Sequence, residues 1–343
     1  MKRFKIEDRT IGEGCPTFIT AEIGYNFNTL EEAMRSIEVA KECGVDAVKF
    51  QTFKAETTVT KGVLFPPEAG GGSQFDEFKK YELSEDWHRK LFSHAKKLGL
   101  IVFSTPSHSS DLPLLESLRV PVYKVGSDDL TNLPLLVEIA KLGKPMIVST
   151  GMSTISEVEE SVKAILETGN EKLVLLHCIS NYPVKKLEFV NLRAMQTMAE
   201  IFNVLVGYSD HTTALTTPIV AVAMGACVYE RHFTIDKNLP APDAALSADP
   251  AEMKQIVQLI RETEAILGSG IKKPAPSEMG MRKDARKSLV SKKEIKKGES
   301  LTLENITIKR PGHGIPPRFL STVIGRTAKV DIPEDTVITW EMV

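Results

Sequence analysis

Two histidines close apolar runs in this chain of 343 residues: His211 in GYSDHT, which follows NVLV, and His232 in CVYERHFT. At such a place the ring nitrogens either find a hydrogen-bond partner or take a metal. Two imidazoles with no thiolate nearby suit an octahedral ion that keeps waters and accepts substrate oxygens, Mn2+ or another divalent cation such as Mg2+. Structural zinc instead wants four protein ligands. A lone histidine there is more often a satisfied hydrogen-bonding residue, so the metal reading rests on the pair. Two lysines, Lys49 in AVKFQTF and Lys124 in VYKVGS, occupy similar run ends among the hydroxyls of Ser104, Thr105, Ser127, Ser149, Thr150 and Ser209. Lysine supplies point charge and a hydroxyl supplies a directed donor, a combination that suits an anion with phosphate oxygens. Taken singly, either lysine reads as an ordinary ion-pair partner.

These residues need a frame that brings run ends together. Eight runs rich in Val, Ile and Phe recur along the chain: FITAEIG, AVKFQTF, IVFSTP, VYKVGS, MIVSTG, LVLLHC, VLVGYSD and CVYERHFT. Amphipathic stretches such as LEEAMRSIEVAKEC and SEVEESVKAILETG lie between them. Nearly continuous apolar strands separated by helices make a parallel sheet covered on both faces, and eight such units predict an α/β fold, a (β/α)8 TIM barrel. A doubly wound open sheet is the alternative. In a barrel of this kind active sites sit at the C-terminal strand ends. There the runs place Glu22, Lys49, Gln51, Thr105, Lys124, Ser127, Ser149, His177, Ser209, Asp210, His211, Glu230 and His232.

The barrel is expected over 1–268. A polar linker rich in Pro and Lys follows at 269–284, and a β-rich module over 285–343, too small to hold much core of its own. Composition narrows the partners: 42% hydrophobic and 26% charged residues with a net charge of −2 describe an ordinary globular chain with no basic surface for nucleic acid or membrane. The start MKRFKIEDRTIGEG lacks the apolar core of a signal peptide, and IVAVAMGACV is far short of a membrane span, so the cytoplasm is expected. Cys15, Cys43, Cys178 and Cys227 show no paired spacing and read as buried or incidental thiols.

The motifs AEIGYN, DAVKFQ, FSTP, YKVGS, STGM, LLHCISNYP, GYSDHT, ERHFTID and PDAALS, with KRPGHGIPP near the C-terminus, give the whole chain a resemblance to the sialic acid synthase family, which includes N-acetylneuraminate, legionaminate and pseudaminate synthases. The C-terminal module resembles the antifreeze-like (SAF) domain of these enzymes. The resemblance implies condensation of phosphoenolpyruvate with the open-chain aldehyde of an N-acetylated hexosamine. Carbon 3 of the enolpyruvate attacks the aldehyde, water adds at carbon 2, and phosphate leaves by C–O cleavage. It implies further that His211 and His232 hold Mn2+ against the aldehyde oxygen. Lys49 and Lys124, with Thr105, Ser127, Ser149 and Ser180, would hold phosphoenolpyruvate, and Glu22 and Asp243 would contact sugar hydroxyls, Glu22 also moving a proton. Gln51 and Tyr182 match pocket positions, and Arg310 would reach the sugar's N-acetyl group across a domain-swapped homodimer.

Two departures from the family pattern, Phe27 in Asn26-Phe27-Asn28 and Ala244 in Ala241-Pro242-Asp243-Ala244, are expected near the sugar, as changes of sugar preference. The long stretch 54–84 reads as a specificity lid. Two alternatives compete. A synthase for a phosphorylated sugar would need more basic residues than the two strand-end lysines. A decayed barrel serving as a carbohydrate-binding or ice-binding protein would first lose Glu22, Lys49, Lys124, His211 and His232, all present here.

Overall fold

The computed structural model describes residues 2–65, 71–241 and 243–343. A hairpin of β1 (Arg3–Ile6) and β2 (Arg9–Gly12) precedes eight parallel strands: β3 (Phe18–Gly24), β4 (Ala47–Thr52), β5 (Ile101–Pro106), β6 (Tyr123–Val125), β7 (Met146–Ser149), β8 (Leu173–Cys178), β9 (Leu205–Asp210) and β10 (Val228–His232). They form one sheet in the order β5-β4-β3-β10-β9-β8-β7-β6, whose two ends lie against each other. This is the expected eight-stranded barrel. The hairpin was not anticipated: its Ile6 and Ile11 are fully buried with Phe18, Val174 and Leu205, so it plugs the N-terminal end. The alternation of Phe4 and Ile6 around the Glu7-Asp8 turn carries the signal for it.

Side chains alternate between the barrel interior and the helix layer. Phe103, Ile147, Val174 and Leu176 point inward and fill the lower barrel, while Ile19, Val48, Val102 and Val148 pack under the helices. Gly207 belongs to the interior because a Cβ there would strike Val228 O and the Leu176 side chain. The surrounding helices start at defined caps. Thr29 and Glu32 form a capping box on α1 (Leu30–Cys43), Ser73 caps α3 (Gln74–Tyr81) after the short α2 (Ala55–Thr58), and Asp249 with Glu252 opens the long helix Pro250–Leu267. Part of the expected lid, 66–70, and Pro242 lie outside the described residues; the described remainder of the lid forms α2, a bridge from Leu64 to Ser73, and α3.

The chain divides into two compact units, Met1–Gly268 and Ser269–Val343. Within the second, the stretch read as linker carries a short exposed helix, Met279–Ala285. The β-rich part pairs Ser288–Ser291 with Ile306–Lys309 antiparallel. Expected to hold little core of its own, it buries Leu289, Ile295, Leu301, Ile306, Ile315, Val323, Ile332 and Ile338 together. No described helix is long and apolar enough to cross a membrane.

Candidate active site at the barrel mouth

The inward position at the top of each strand holds a polar group. Glu22 (β3), Lys49 (β4), Thr105 (β5), Lys124 (β6), Ser149 (β7), Cys178 (β8), Ser209 (β9) and Glu230 (β10) line one cavity of about 380 Å³ together with Gln51, Ser127, Ser180, Tyr182, His211, His232 and Asp243. At its floor two ammonium groups face two carboxylates. Lys49 Nζ lies 2.9 Å from Glu22 and 3.7 Å from Glu230, and Lys124 Nζ lies 3.8 Å from Glu230 and donates to Ser149 Oγ at 2.6 Å. Lys49 also donates to Thr105 Oγ1 at 3.2 Å, Ser209 to Glu230 at 3.1 Å, and Gln51 to Glu22 at 2.9 Å.

Burial sets the charges on this floor. It pushes the Glu22 carboxyl above its ordinary range, more strongly than Lys49 pulls it down. Burial would likewise raise Glu230, but Lys124 and Lys49 outweigh it and keep that carboxylate ionised. Lys49 stays cationic: burial opposes its charge, and Glu22 and Glu230 restore it. Lys124 has its proton loosened by burial. Two cations screened by one firm carboxylate form a cradle for a polyanion. Around it the chain comes close because Gly151 has no Cβ; one there would strike Ser180 Oγ and Ser127 Oγ, and its own N–H is held by Ser127 Oγ at 3.0 Å.

His211 and His232 meet above the floor, ring centroids 5.3 Å apart, with the Tyr182 ring 4.1 Å from the first and 5.8 Å from the second. His211 Nδ1 must donate to the carbonyl of Ile179 at 2.8 Å, since a carbonyl only accepts, which leaves Nε2 with a lone pair. His232 is buried, and burial together with His211 holds it neutral, well below the ordinary histidine range; its Nδ1 has no hydrogen-bond partner and lies 3.4 Å from Asp243 Oδ2. Burial opposes charge on His211, but Cys178 outweighs it and pushes that imidazole up, so the pair offers its lone pairs to a divalent ion once His211 has given up its proton. Among the described residues no group of three or more His, Cys, Asp and Glu side chains is arranged for one, so the remaining positions would fall to water and substrate oxygens.

A second cavity of about 1050 Å³ opens above, sharing Tyr25, Phe78, Tyr182 and Asp243 with the first. Its outer wall is α3. Tyr81 stacks on Tyr25 at 5.3 Å and donates to Pro240 O at 2.7 Å, and Phe78 meets Phe53, which in turn meets Tyr25 edge-on. Among the described residues, the charged groups lining this cavity are Asp76, Glu77 and Lys80 of α3 and Asp243. Burial pushes the Asp243 carboxyl up to about 6.

A model described as the NeuB family matches residues 36–272, and one described as the SAF domain matches 286–343. The chain belongs to the NeuB family. It is 42% identical over 342 residues to the N,N'-diacetyllegionaminic acid synthase of Legionella pneumophila, covering 96% of this chain and 95% of the relative. With human N-acetylneuraminate-9-phosphate synthase it shares 35% identity, over 98% of this chain and 95% of that protein. The crystal structure of N-acetylneuraminic acid synthetase from Leptospira borgpetersenii in complex with citrate superposes with a TM-score of 0.74 at 31% identity, covering 82% of this chain and 95% of that one.

In this NeuB-family chain the cavity collects thirteen of the expected residues: Glu22, Lys49, Gln51, Thr105, Lys124, Ser127, Ser149, Ser180, Tyr182, Ser209, His211, His232 and Asp243. Arg310 stands exposed in the second unit. Several neighbours in the strand-end roll face away from the mouth. His177 stacks on Tyr208 at 6.0 Å and hydrogen-bonds Val190 O at 2.7 Å, Ser104 shares a network with Thr52 and His88, and Thr150 donates to Leu176 O at 3.0 Å. Neither departure lines either of the two cavities. Phe27 is core, packed on Phe50 and Trp87, and Ala244 is fully buried at the start of a helical turn. Cys178, read as incidental, lines the mouth 3.7 Å from His211 Nδ1, and Glu230, left without a role, anchors both lysines. Strict inward alternation from Leu176 would have placed Cys178 in the mouth.

Proposed function

We propose that this chain is a transferase that condenses phosphoenolpyruvate with the open-chain aldehyde of a neutral N-acetylated hexosamine, giving a nonulosonic acid and inorganic phosphate. The observation that carries the proposal is the paired floor of Lys49 and Lys124 against Glu22 and Glu230 directly beneath the two histidines, in a chain of this family. The lysines and the surrounding hydroxyls hold the phosphate and carboxylate of the enolpyruvate, neutralising it so that two electron-rich reactants can meet. Carbon 3 forms the new bond to the aldehyde carbon, and protonated Glu22 gives its proton to the aldehyde oxygen. Glu22, now a carboxylate, takes one proton from the water that adds at carbon 2; the bond from carbon 2 to the phosphate oxygen then breaks, the remaining hydroxyl proton passes to the departing phosphate, and the ketone is left. A divalent ion held by His211 and His232 would polarise the aldehyde oxygen and fix its orientation.

The acceptor's far end extends into the upper cavity, where among the described residues three carboxylates outnumber Lys80; this favours a neutral sugar over a phosphorylated one. The human relative's name, which carries a phosphate, keeps the phosphorylated acceptor as the second reading. Arg310 is proposed to contact the N-acetyl group from the SAF domain of a second copy in a homodimer. The proposed compartment is the cytoplasm, in keeping with four free thiols.

The test is phosphate release from phosphoenolpyruvate by purified protein with Mn2+, supplying N-acetylmannosamine, its 6-phosphate and diacetamido-6-deoxyhexoses in parallel and omitting each component in turn. Release that needs both metal and a neutral acceptor is expected. Release with the 6-phosphate alone would move the assignment to the second reading, and silence with every sugar would reject the condensation.

A further inference from the structure

Each candidate metal ligand is preceded by a buried charged residue that the proposed chemistry leaves unused: Asp210 before His211, and Arg231 before His232. Asp210 and Arg231 are direct partners in the parallel β9–β10 ladder, and theirs is its last registered pair; β9 ends there, while β10 runs one residue further, where His232 pairs with Glu22 of β3 and has left β9. Alternation turns these two side chains outward, away from the mouth, where they are 2% and 5% exposed. Every oxygen of the Asp210 carboxylate is in use. Oδ1 accepts from Thr212 N at 2.8 Å and lies 3.7 Å from Arg231 Nη1, and Oδ2 accepts from Thr217 Oγ1 at 2.6 Å and Tyr229 OH at 2.8 Å. Arg231 crosses the seam between the strands, donating through Nη1 to Asp210 O at 3.0 Å and through Nη2 to Leu246 O at 3.1 Å. Its Nε has no hydrogen-bond partner.

We infer that Asp210 and Arg231 are positioning residues that fix the height and facing of the two strand ends, so that His211 and His232 emerge side by side. The requirement is geometric. Because side chains alternate, a slip of one residue at the end of the ladder would turn a histidine out of the mouth. A hydrophobic pair would not prevent this, being indifferent to where along the seam it packs. A charge pair wired to two backbone carbonyls and one backbone amide works at only one register, the use for which buried ion pairs are best attested. Arg231 reaches Leu246 O in the loop whose Asp243 faces His232, so the same guanidinium holds the third group near the pair.

This inference rests on the metal reading, and the experiment separates the two. Asp210→Asn and Arg231→Met are compared with wild type and with Asp46→Asn. Asp46 pairs with Arg9 at 2.6 Å and Arg261 at 2.9 Å at the opposite end of the barrel, so its loss weakens the fold without touching the mouth. Three readouts are taken: Mn2+ affinity from the electron paramagnetic signal of free Mn2+, Tm without metal, and the His211–His232 ring separation in metal-free crystals. The first two variants are expected to bind Mn2+ 10- to 100-fold more weakly, with the rings no longer at 5.3 Å. Asp46→Asn is expected to lose Tm and keep both. Should a variant fail to fold, Tyr229→Phe and Thr217→Val each remove one bond to Asp210 and should weaken Mn2+ binding in smaller steps. Affinities within twofold of wild type, or an equal loss in Asp46→Asn, would overturn the inference. If wild type binds no Mn2+ the metal reading falls, and the ring separation alone then decides: unchanged in the variants, it overturns the positioning role.

Discussion

The floor of the mouth and the chamber above it are built on opposite principles. Every floor group hangs from a strand end, is nearly inaccessible to solvent and has a charged or hydroxyl partner within hydrogen-bonding or ion-pair reach, so its position is set by the barrel. The chamber is walled by α3 and by loop residues such as Pro240 and Ala241, joined to the barrel through an aromatic stack and a single tyrosine hydroxyl. The floor is built for a reaction that allows little movement. A chamber built this way can change its occupant by small substitutions without disturbing the floor.

If that division holds, damage to the floor abolishes turnover whatever the sugar. Lys49→Met leaves Glu22 and Glu230 buried beside each other without their shared cation; it is expected to lower kcat at least about 1,000-fold and cost about 3 to 5 kcal/mol of stability. Glu22→Gln removes the proton carrier and should cost about 100- to 10,000-fold in kcat with KM for phosphoenolpyruvate little changed. His211→Ala should abolish manganese-dependent turnover and lower Mn2+ affinity while circular dichroism stays that of the folded chain. Steady-state kinetics on the three proteins checks this; a floor variant that loses activity with one sugar only would break the division.

The same contrast explains what was legible in the sequence. Strand residues obey a period of two and end at a known edge of the barrel, so Glu22, Lys49, Lys124, His211 and His232 could be placed at one mouth before any coordinates. What failed failed on facing: His177, Ser104 and Thr150 sit at strand ends but on the helix side, and Cys178 was passed over and Glu230 given no role although both sit on the inner side. Phe27 misled because a loop position just after the AEIGYN motif need not face the mouth; an aromatic there found Phe50 and Trp87 instead. The chamber was invisible in detail because α3 carries no periodic link to the strands. Its place depends on Tyr25, Phe53, Phe78 and Tyr81 meeting across more than fifty residues of sequence.

Charge on the chamber wall is expected to act selectively. Asp76→Lys with Glu77→Lys leaves the floor untouched and should narrow the preference for a neutral acceptor over its 6-phosphate by roughly tenfold, measured as the ratio of kcat/KM for the two; each wall charge is partly exposed, so high salt should shrink the effect. An unchanged ratio would mean that the acceptor's far end does not lie along α3.

The smallest and most diagnostic change is Tyr81→Phe. The ring is 7% exposed and its stacking on Tyr25 survives the substitution, so the aromatic contact and the fold are kept. Only the 2.7 Å bond from its hydroxyl to Pro240 O is lost, together with the contact of Lys80 Nζ at 3.1 Å. One neutral hydrogen bond of this kind contributes about 1 kcal/mol. Here it ties α3 to the loop that carries Asp243, and the looser wall should raise KM for the acceptor about three- to fivefold. KM for phosphoenolpyruvate and kcat should stay within twofold, because neither Lys49 nor Lys124 contacts the chamber wall. A rise in the phosphoenolpyruvate KM of equal size would show that α3 and the strand ends move together, and the division between a fixed floor and an adaptable chamber would have to be withdrawn.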